Sequence, residues 1–164
     1  MREAQVLAVG QEAGSAGPMM VLGVEGDERV LPIWIGVAEA TCIAAEQQGI
    51  RGPRPGTLHL LATLIGAFER RLVSVRITEL RDSVFRAELV FDADTTVSAR
   101  PSDAVGLALH VGVPILVADE VLDEAAVPGA GVVAGAEQQA GLDEEFRRFR
   151  RFIDEVDPDE FGRS

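Results

Sequence analysis

Alternation of apolar and polar positions organises the first part of the chain into strands. Residues 3–9 (EAQVLAV) and 18–24 (PMMVLGV) read as two strands around a Gly-rich turn. The sequence Gly26-Asp27-Glu28 signals a tight turn, and 29–35 (RVLPIWI) is the next strand. Pro32 puts that strand at a sheet edge or a bulge, because Pro cannot donate to a ladder. Over 37–48 the period lengthens to that of a helix, with Gly49 as its cap. The rigid loop RGPRPG follows, and 57–71 is a second predicted helix. Its apolar stripe is Leu58, Leu61, Leu64, Ile65 and Phe68.

Period-two patterning returns over 72–80, 84–91 and 95–99, joined by the turns Arg81-Asp82-Ser83 and Asp92-Ala93-Asp94. A third helix covers 102–110, with Ser102 as N-cap, Asp103 in the first turn and Gly112 at the end. Residues 114–118 form a strand and 119–126 a short helix. Residues 127–136 (VPGAGVVAGA) have the composition of a loop. Beyond them, 137–157 reads as one amphipathic helix with Phe146, Phe149, Phe152, Ile153 and Val156 along one side. That stripe is expected to dock on its own domain or on a neighbouring subunit. Strands and helices interleave without strict βαβ alternation. The fold class is therefore α+β or mixed α/β: one domain over 1–126 with a mixed sheet and three to four helices on it. The loop 127–136 then leads to a C-terminal helix and tail, 137–164.

A length of 164 residues allows one such core and little more. Apolar residues make up 47% and charged residues 26%, a soluble globular composition. No apolar run approaches the roughly 18–20 residues of a membrane span, and the N-terminus lacks signal-peptide patterning. A cytoplasmic protein without a membrane partner is expected. Cys42, the single cysteine, lies in a helical apolar pattern and reads as a buried, inert thiol.

The net charge of −12 argues against a large generic nucleic-acid surface. Its distribution is uneven. Residues 50–101 carry +2, whereas 1–49, 102–136 and 137–164 carry −5, −5 and −4. Every basic residue is Arg.

Two segments in or next to the positive stretch share a layout: RPGT (Arg54 to Thr57) and RPSD (Arg100 to Asp103). Pro holds the residue before it in extended geometry. Each Arg thus stands outside a helix start, near free backbone N–H groups that suit an anion. Arg54, Thr57, Arg100 and Ser102 are the candidate anion-binding residues. In the alternative, each Arg pairs with an internal carboxylate, Glu39 and Asp103 being the candidates. His59 can serve as a base or ligand or can sit solvated at the core edge. His110 fits a cap at a helix C-terminus. Asp119, Glu120, Asp123 and Glu124 have a spacing able to bind Mg²⁺ or Mn²⁺ and equally fit a solvated face.

Together, LPIWIGVAEATCIA (from Leu31), RPGT, FRAELVF (from Phe85) and ARPSDAVGLALHVGVPILVADEVLDEA (from Ala99) resemble the bifunctional nuclease domain family. The resemblance covers roughly residues 3–126. It implies a compact α/β domain that forms homo-oligomers, with a nuclease acting on phosphodiester bonds of DNA and RNA. The positions it carries over are Trp34, Glu39, Arg54, Thr57, Arg100, Ser102 and Asp103. As catalytic candidates it leaves Arg54, Arg100, Asp103, Glu39 and His59, with a divalent cation, Mg²⁺ or Mn²⁺, as the implied cofactor. Two places depart from the family pattern. Where members commonly have His-Asp after the first Arg-Pro-x-Thr, this chain has Leu58 and His59, and Ser98 replaces a frequent Asp. Each change removes a metal-ligating or proton-moving group. The other reading is a non-catalytic oligomeric module that binds an anionic small molecule or a protein partner.

Overall fold

The computed structural model describes residues 1–10 and 17–129. Three strands open the chain: β1 (Arg2–Gly10), β2 (Met19–Val24) and β3 (Arg29–Trp34), paired as an antiparallel meander. The turn between β2 and β3 is fastened by Asp27. Its carboxylate accepts bonds from the Arg29 backbone N–H at 2.9 Å, the Arg29 side chain at 3.0 and 3.1 Å, and Arg2 Nη1 at 2.8 Å. The Arg29 bonds foremost, then Arg2, hold this carboxyl well below the usual carboxylate range.

Helices α1 (Val37–Gln47) and α2 (Thr57–Ala67) follow, then the hairpin β4 (Leu72–Arg81) and β5 (Val84–Phe91). The hairpin closes through Asp82 and Ser83 at φ 50° and 62°, the left-handed pair a two-residue turn requires. Next come β6 (Thr96–Ala99), α3 (Pro101–Val111), β7 (Ile115–Val117), α4 (Asp119–Ala125) and β8 (Val127–Pro128). All eight strands join one sheet in the order β6-β5-β4-β7-β1-β2-β3-β8. Among the described strands only β4 and β7 pair in parallel, so the sheet is mixed. The short β7 bridges the two antiparallel halves.

One core lies between the sheet and the helices. Met20, Leu22, Leu31, Ile33, Val75, Ile77, Ile115 and Val117 from the strands pack with Ile43 of α1, Leu107 of α3 and Leu122 of α4. Alternation sends Met19, Val21 and Val30 into a smaller cluster with Ala8 and Val127.

Several predicted details change. The second helix stops at Ala67, four residues before the predicted end, because Glu69 turns left-handed at φ 55°. Its core-facing residues are Leu58, Ala62 and Ile65, whereas Leu61, Leu64 and Phe68 are exposed. Ser102 is not the N-cap of α3. Arg100 is, since Pro101 needs no N–H partner and takes the first helical position. Val127 and Pro128 are strand, not loop, paired with Val30 and Arg29. The rest of β3, including Pro32, has no neighbour on that side among the described residues, which is the predicted edge. The predicted C-terminal helix lies outside the described residues.

Helices α1 and α3 run parallel: Glu39 meets Arg100 at their N-terminal ends, and Glu46 meets His110 at their C-terminal ends. Gly106 lies between. A Cβ there would stand 3.3 Å from Leu58 Cδ1 and 3.8 Å from Ile43 Cγ1. The missing side chain lets α1, α2 and α3 converge.

Candidate functional site

The two Arg-Pro segments end in different environments. Pro101 holds Arg100 extended, at φ −73° and ψ 148°. From there its guanidinium donates Nε to Asp103 Oδ2 at 2.6 Å, Nη2 to Asp103 Oδ1 at 2.9 Å and Nη1 to Glu39 Oε1 at 2.9 Å. The anion at this helix start is therefore a pair of the protein's own carboxylates. Asp103 first, then Glu39, raise the guanidinium further above its ordinary range. Gly36, the N-cap of α1, leaves room for this: a side chain there would collide with the Glu39 carboxylate. Ser102 is buried in the first turn of α3, 9% exposed.

Arg54 is placed differently. Gly56, extended at φ −80° and ψ −177°, caps α2, so Arg54 stands two residues before the cap. Among the described residues it makes no hydrogen bond or ion pair. It lines a cleft of about 1270 Å³ bounded by α1, the loop at 50–56 and the start of α2. The charged and titratable walls of this cleft are Arg51, Arg54, Glu46, Cys42, His59 and His110. Two arginines against one glutamate make it locally positive in an acidic chain. Thr57 also lines it. The cleft thus gathers Arg54, Thr57 and His59, while Arg100, Glu39, Asp103 and Ser102 stand outside its walls.

His110 is more than a helix cap. Its Nδ1 lies 3.0 Å from Glu46 Oε1, and the two side chains are 9% and 13% exposed. Arg51 Nη1 also approaches Nδ1, at 2.9 Å, and Glu46 Oε2 at 3.3 Å. Nδ1 cannot donate to Glu46 and accept from Arg51 at once. The carboxylate is acceptor-only and buried with the ring, whereas Arg51 is 60% exposed and free to turn toward Oε2. The Nδ1–H is therefore the donor and Glu46 the acceptor. The rings of His59 and His110 meet edge-on, centroids 5.7 Å apart at 84°.

Cys42 corrects the expected burial: it is exposed and lines the cleft. Desolvation, then Glu46, Glu39 and Asp103, push its thiol up, so it stays protonated and a poor nucleophile. Among the acids of α4, Asp119 binds the N-terminal ammonium at 2.7 Å and Asp123 lies 3.5 Å from Arg29. Among the described residues, no group of three or more His, Cys, Asp or Glu is arranged to hold a metal ion. Glu39 and Asp103 serve Arg100, and Glu46 serves His110 and Arg51. The donor set described does not fit a divalent cation. No described helix is long and apolar enough to cross a membrane.

The contribution of Glu46, Arg51 and His110 was not legible in the sequence. Glu39 and Glu46 are seven residues apart on one face of α1, which hints at a shared partner helix. Nothing local identifies that helix as the one ending in His110.

Comparison with known proteins agrees with the fold and the motifs. Residues 20–129 match the model of the bifunctional nuclease domain. Two uncharacterized proteins of Mycobacterium tuberculosis, from strains CDC 1551 and H37Rv, are each 42% identical over 164 residues. The alignment covers 98% of this chain and 98% of each relative.

Proposed function

Because this chain belongs to the bifunctional nuclease domain family, we propose that its cleft binds a nucleic-acid phosphate and cleaves the phosphodiester. The observation that carries this reading is Arg54. It is a guanidinium without a protein partner among the described residues, on the wall of a cleft that also holds two histidines. A planar, two-pronged cation suits a phosphate. Arg51 adds a second positive charge, and His59 and His110 are groups able to move a proton in the reaction. Arg100, Glu39 and Asp103 act on this reading as a clamp between α1 and α3 that fixes the cleft wall. The overall negative charge limits binding to this locally positive strip.

The test is purified protein on labelled single- and double-stranded DNA and RNA, with Mg²⁺, Mn²⁺ or EDTA. Cleavage that falls on the order of tenfold or more in Arg54→Ala, with unchanged thermal unfolding, supports the reading. Tight binding with no cleavage of any strand favours the second reading, an oligomeric module for an anionic ligand or a protein partner. The observation behind that reading is the uncovered apolar face of α2, where Leu60, Leu61, Leu64 and Phe68 are exposed.

A further inference from the structure

We propose that the cleft takes an acidic stretch of polypeptide, and that its occupant is this chain's own acidic end, Asp154 to Glu160. This rests on the reading of the cleft as an anion site. The first observation is size. At about 1270 Å³ the cleft exceeds the roughly 300–1,000 Å³ of small-molecule pockets and has room for a chain segment. Its walls are mixed: Val37, Ile50, Pro55 and Leu58 are apolar, and Arg51 and Arg54 are cationic.

The second observation is charge. Arg54 makes no hydrogen bond or ion pair among the described residues. Arg51 is 60% exposed, and its contact with Glu46 is of the kind that water leaves weak. Two arginines against Glu46 leave the walls net positive. The sequence DEVDPDE, from Asp154 to Glu160, has five acids in seven residues and no base, the densest acidic run of the chain. A carboxylate meets a guanidinium in the same two-pronged way as a phosphate. Ile153, Val156 and Phe161 lie among and beside these acids and match the apolar part of the walls. Pro158 favours extended geometry at Asp157, which presents the acids as a strip. The other acidic run, on α4, is anchored to the core by Val121 and Leu122. There Asp119 already faces the N-terminal ammonium, and Asp123 faces Arg29.

The third observation is reach. Gly129, the last described residue, donates its N–H to Glu28 O at 3.1 Å at the sheet edge. Beyond it, residues 130–136 extended span about 24 Å. Residues 137–153, as the helix the sequence predicts, span about 25 Å. A domain of this length has a radius of gyration of about 14 Å, so the cleft is within range of Asp154. A tethered segment meets its own cleft at an effective concentration of about millimolar, ahead of a second copy. Nucleic acid then enters by displacing the acidic end, which favours a strand with several phosphates over a lone anion.

The experiment uses Cys42, the single cysteine, which is exposed on the cleft wall. Pro158→Cys in the full chain keeps all five acids and adds one thiol. Mild oxidation at alkaline pH should give a disulfide within one chain, mapped by mass spectrometry. Arg51→Ala with Arg54→Ala, or about 1 M NaCl, should slow its formation at least about tenfold. Circular dichroism checks that the variants are folded. A disulfide formed at the same rate without the two arginines overturns the proposal, and so does one formed only between chains.

A second measurement is the anisotropy of a labelled oligonucleotide. Replacing Asp154, Glu155, Asp157, Asp159 and Glu160 by their amides should tighten binding at least about tenfold. The control neutralises five exposed acids elsewhere, Glu3, Glu25, Glu28, Asp94 and Glu124, and should gain far less. An equal gain in the control means that net charge alone acts and overturns the proposal. If no variant binds the oligonucleotide, the phosphodiester reading fails by itself, and the disulfide decides whether the acidic end occupies the cleft.

Discussion

His110 and Glu46 lie sixty-four residues apart in the chain, and their Nδ1 and Oε1 atoms are 3.0 Å apart at the C-terminal ends of two parallel helices. Both side chains are largely buried, so the bond is a fixed structural element as well as part of the cleft wall. Glu46→Ala leaves the Nδ1–H without its acceptor. The expected cost is about 1–3 kcal/mol, and Glu46→Gln, which keeps an acceptor, should cost less. Urea unfolding of the three proteins checks the order.

Arg100→Ala removes the cation between Glu39 and Asp103 and leaves two carboxylates facing one another. Its urea midpoint should fall below that of the parent protein. The guanidinium is 65% exposed, so salt screens the pair. Raising ionic strength should narrow the gap between parent and variant. A gap that widens with salt contradicts the electrostatic account.

Asp27 gives the chain an acid-sensitive fastening. Its carboxyl is held well below the ordinary range, chiefly by Arg29, so the folded state prefers the ionised form. That contribution is fully present above the unfolded carboxyl pKa, about 3.9. It is lost as pH falls below that value toward the depressed folded one. Asp27→Asn should therefore be less stable than the parent at neutral pH. The difference should shrink below about pH 4. Parallel thermal melts across that window measure it.

Gly106 sits where three helices converge. Gly106→Val puts two methyl groups against Leu58 and Ile43, and the expected cost is about 1–3 kcal/mol. Gly106→Ala should cost less, since the better helix propensity of Ala, about 1 kcal/mol, offsets the contact with the mobile end of Leu58. Denaturant midpoints of the two variants should fall in that order.

The exposed stripe on α2 predicts self-association. Phe68 is 75% exposed beside Leu60, Leu61 and Leu64, apolar surface that isolated monomers seldom present together. Light scattering at micromolar concentration should report a mass above 17.5 kDa. Leu64→Glu should shift the protein toward that monomer mass without altering its circular dichroism. A parent protein already at 17.5 kDa disproves the prediction.

Period and turn chemistry by themselves determined most of the elements. Alternation placed β1 through β5 to within two residues of their ends, and Gly112, left-handed at φ 79°, closes α3 as its residue type requires. The Pro of the second Arg-Pro pair dictated extended geometry at Arg100, and the interleaving of strands and helices without strict βαβ alternation set the fold class. These are local properties, written in neighbouring residues. Tertiary structure decided the rest. The stripe of α2 that meets the core is Leu58, Ala62 and Ile65, because α3 approaches from that side through Gly106. The shared Arg-Pro layout became a carboxylate clamp at Arg100, where Asp103 follows in the chain and α1 brings Glu39, and a cation without a partner among the described residues at Arg54, where Thr57 stands in place of that acid. Above all, the pairing of His110 with Glu46, and with it the two-histidine cleft, depends on which helix lies parallel to which. Spacing within one segment carries no such information. It arises only when burial of a shared core brings distant segments side by side.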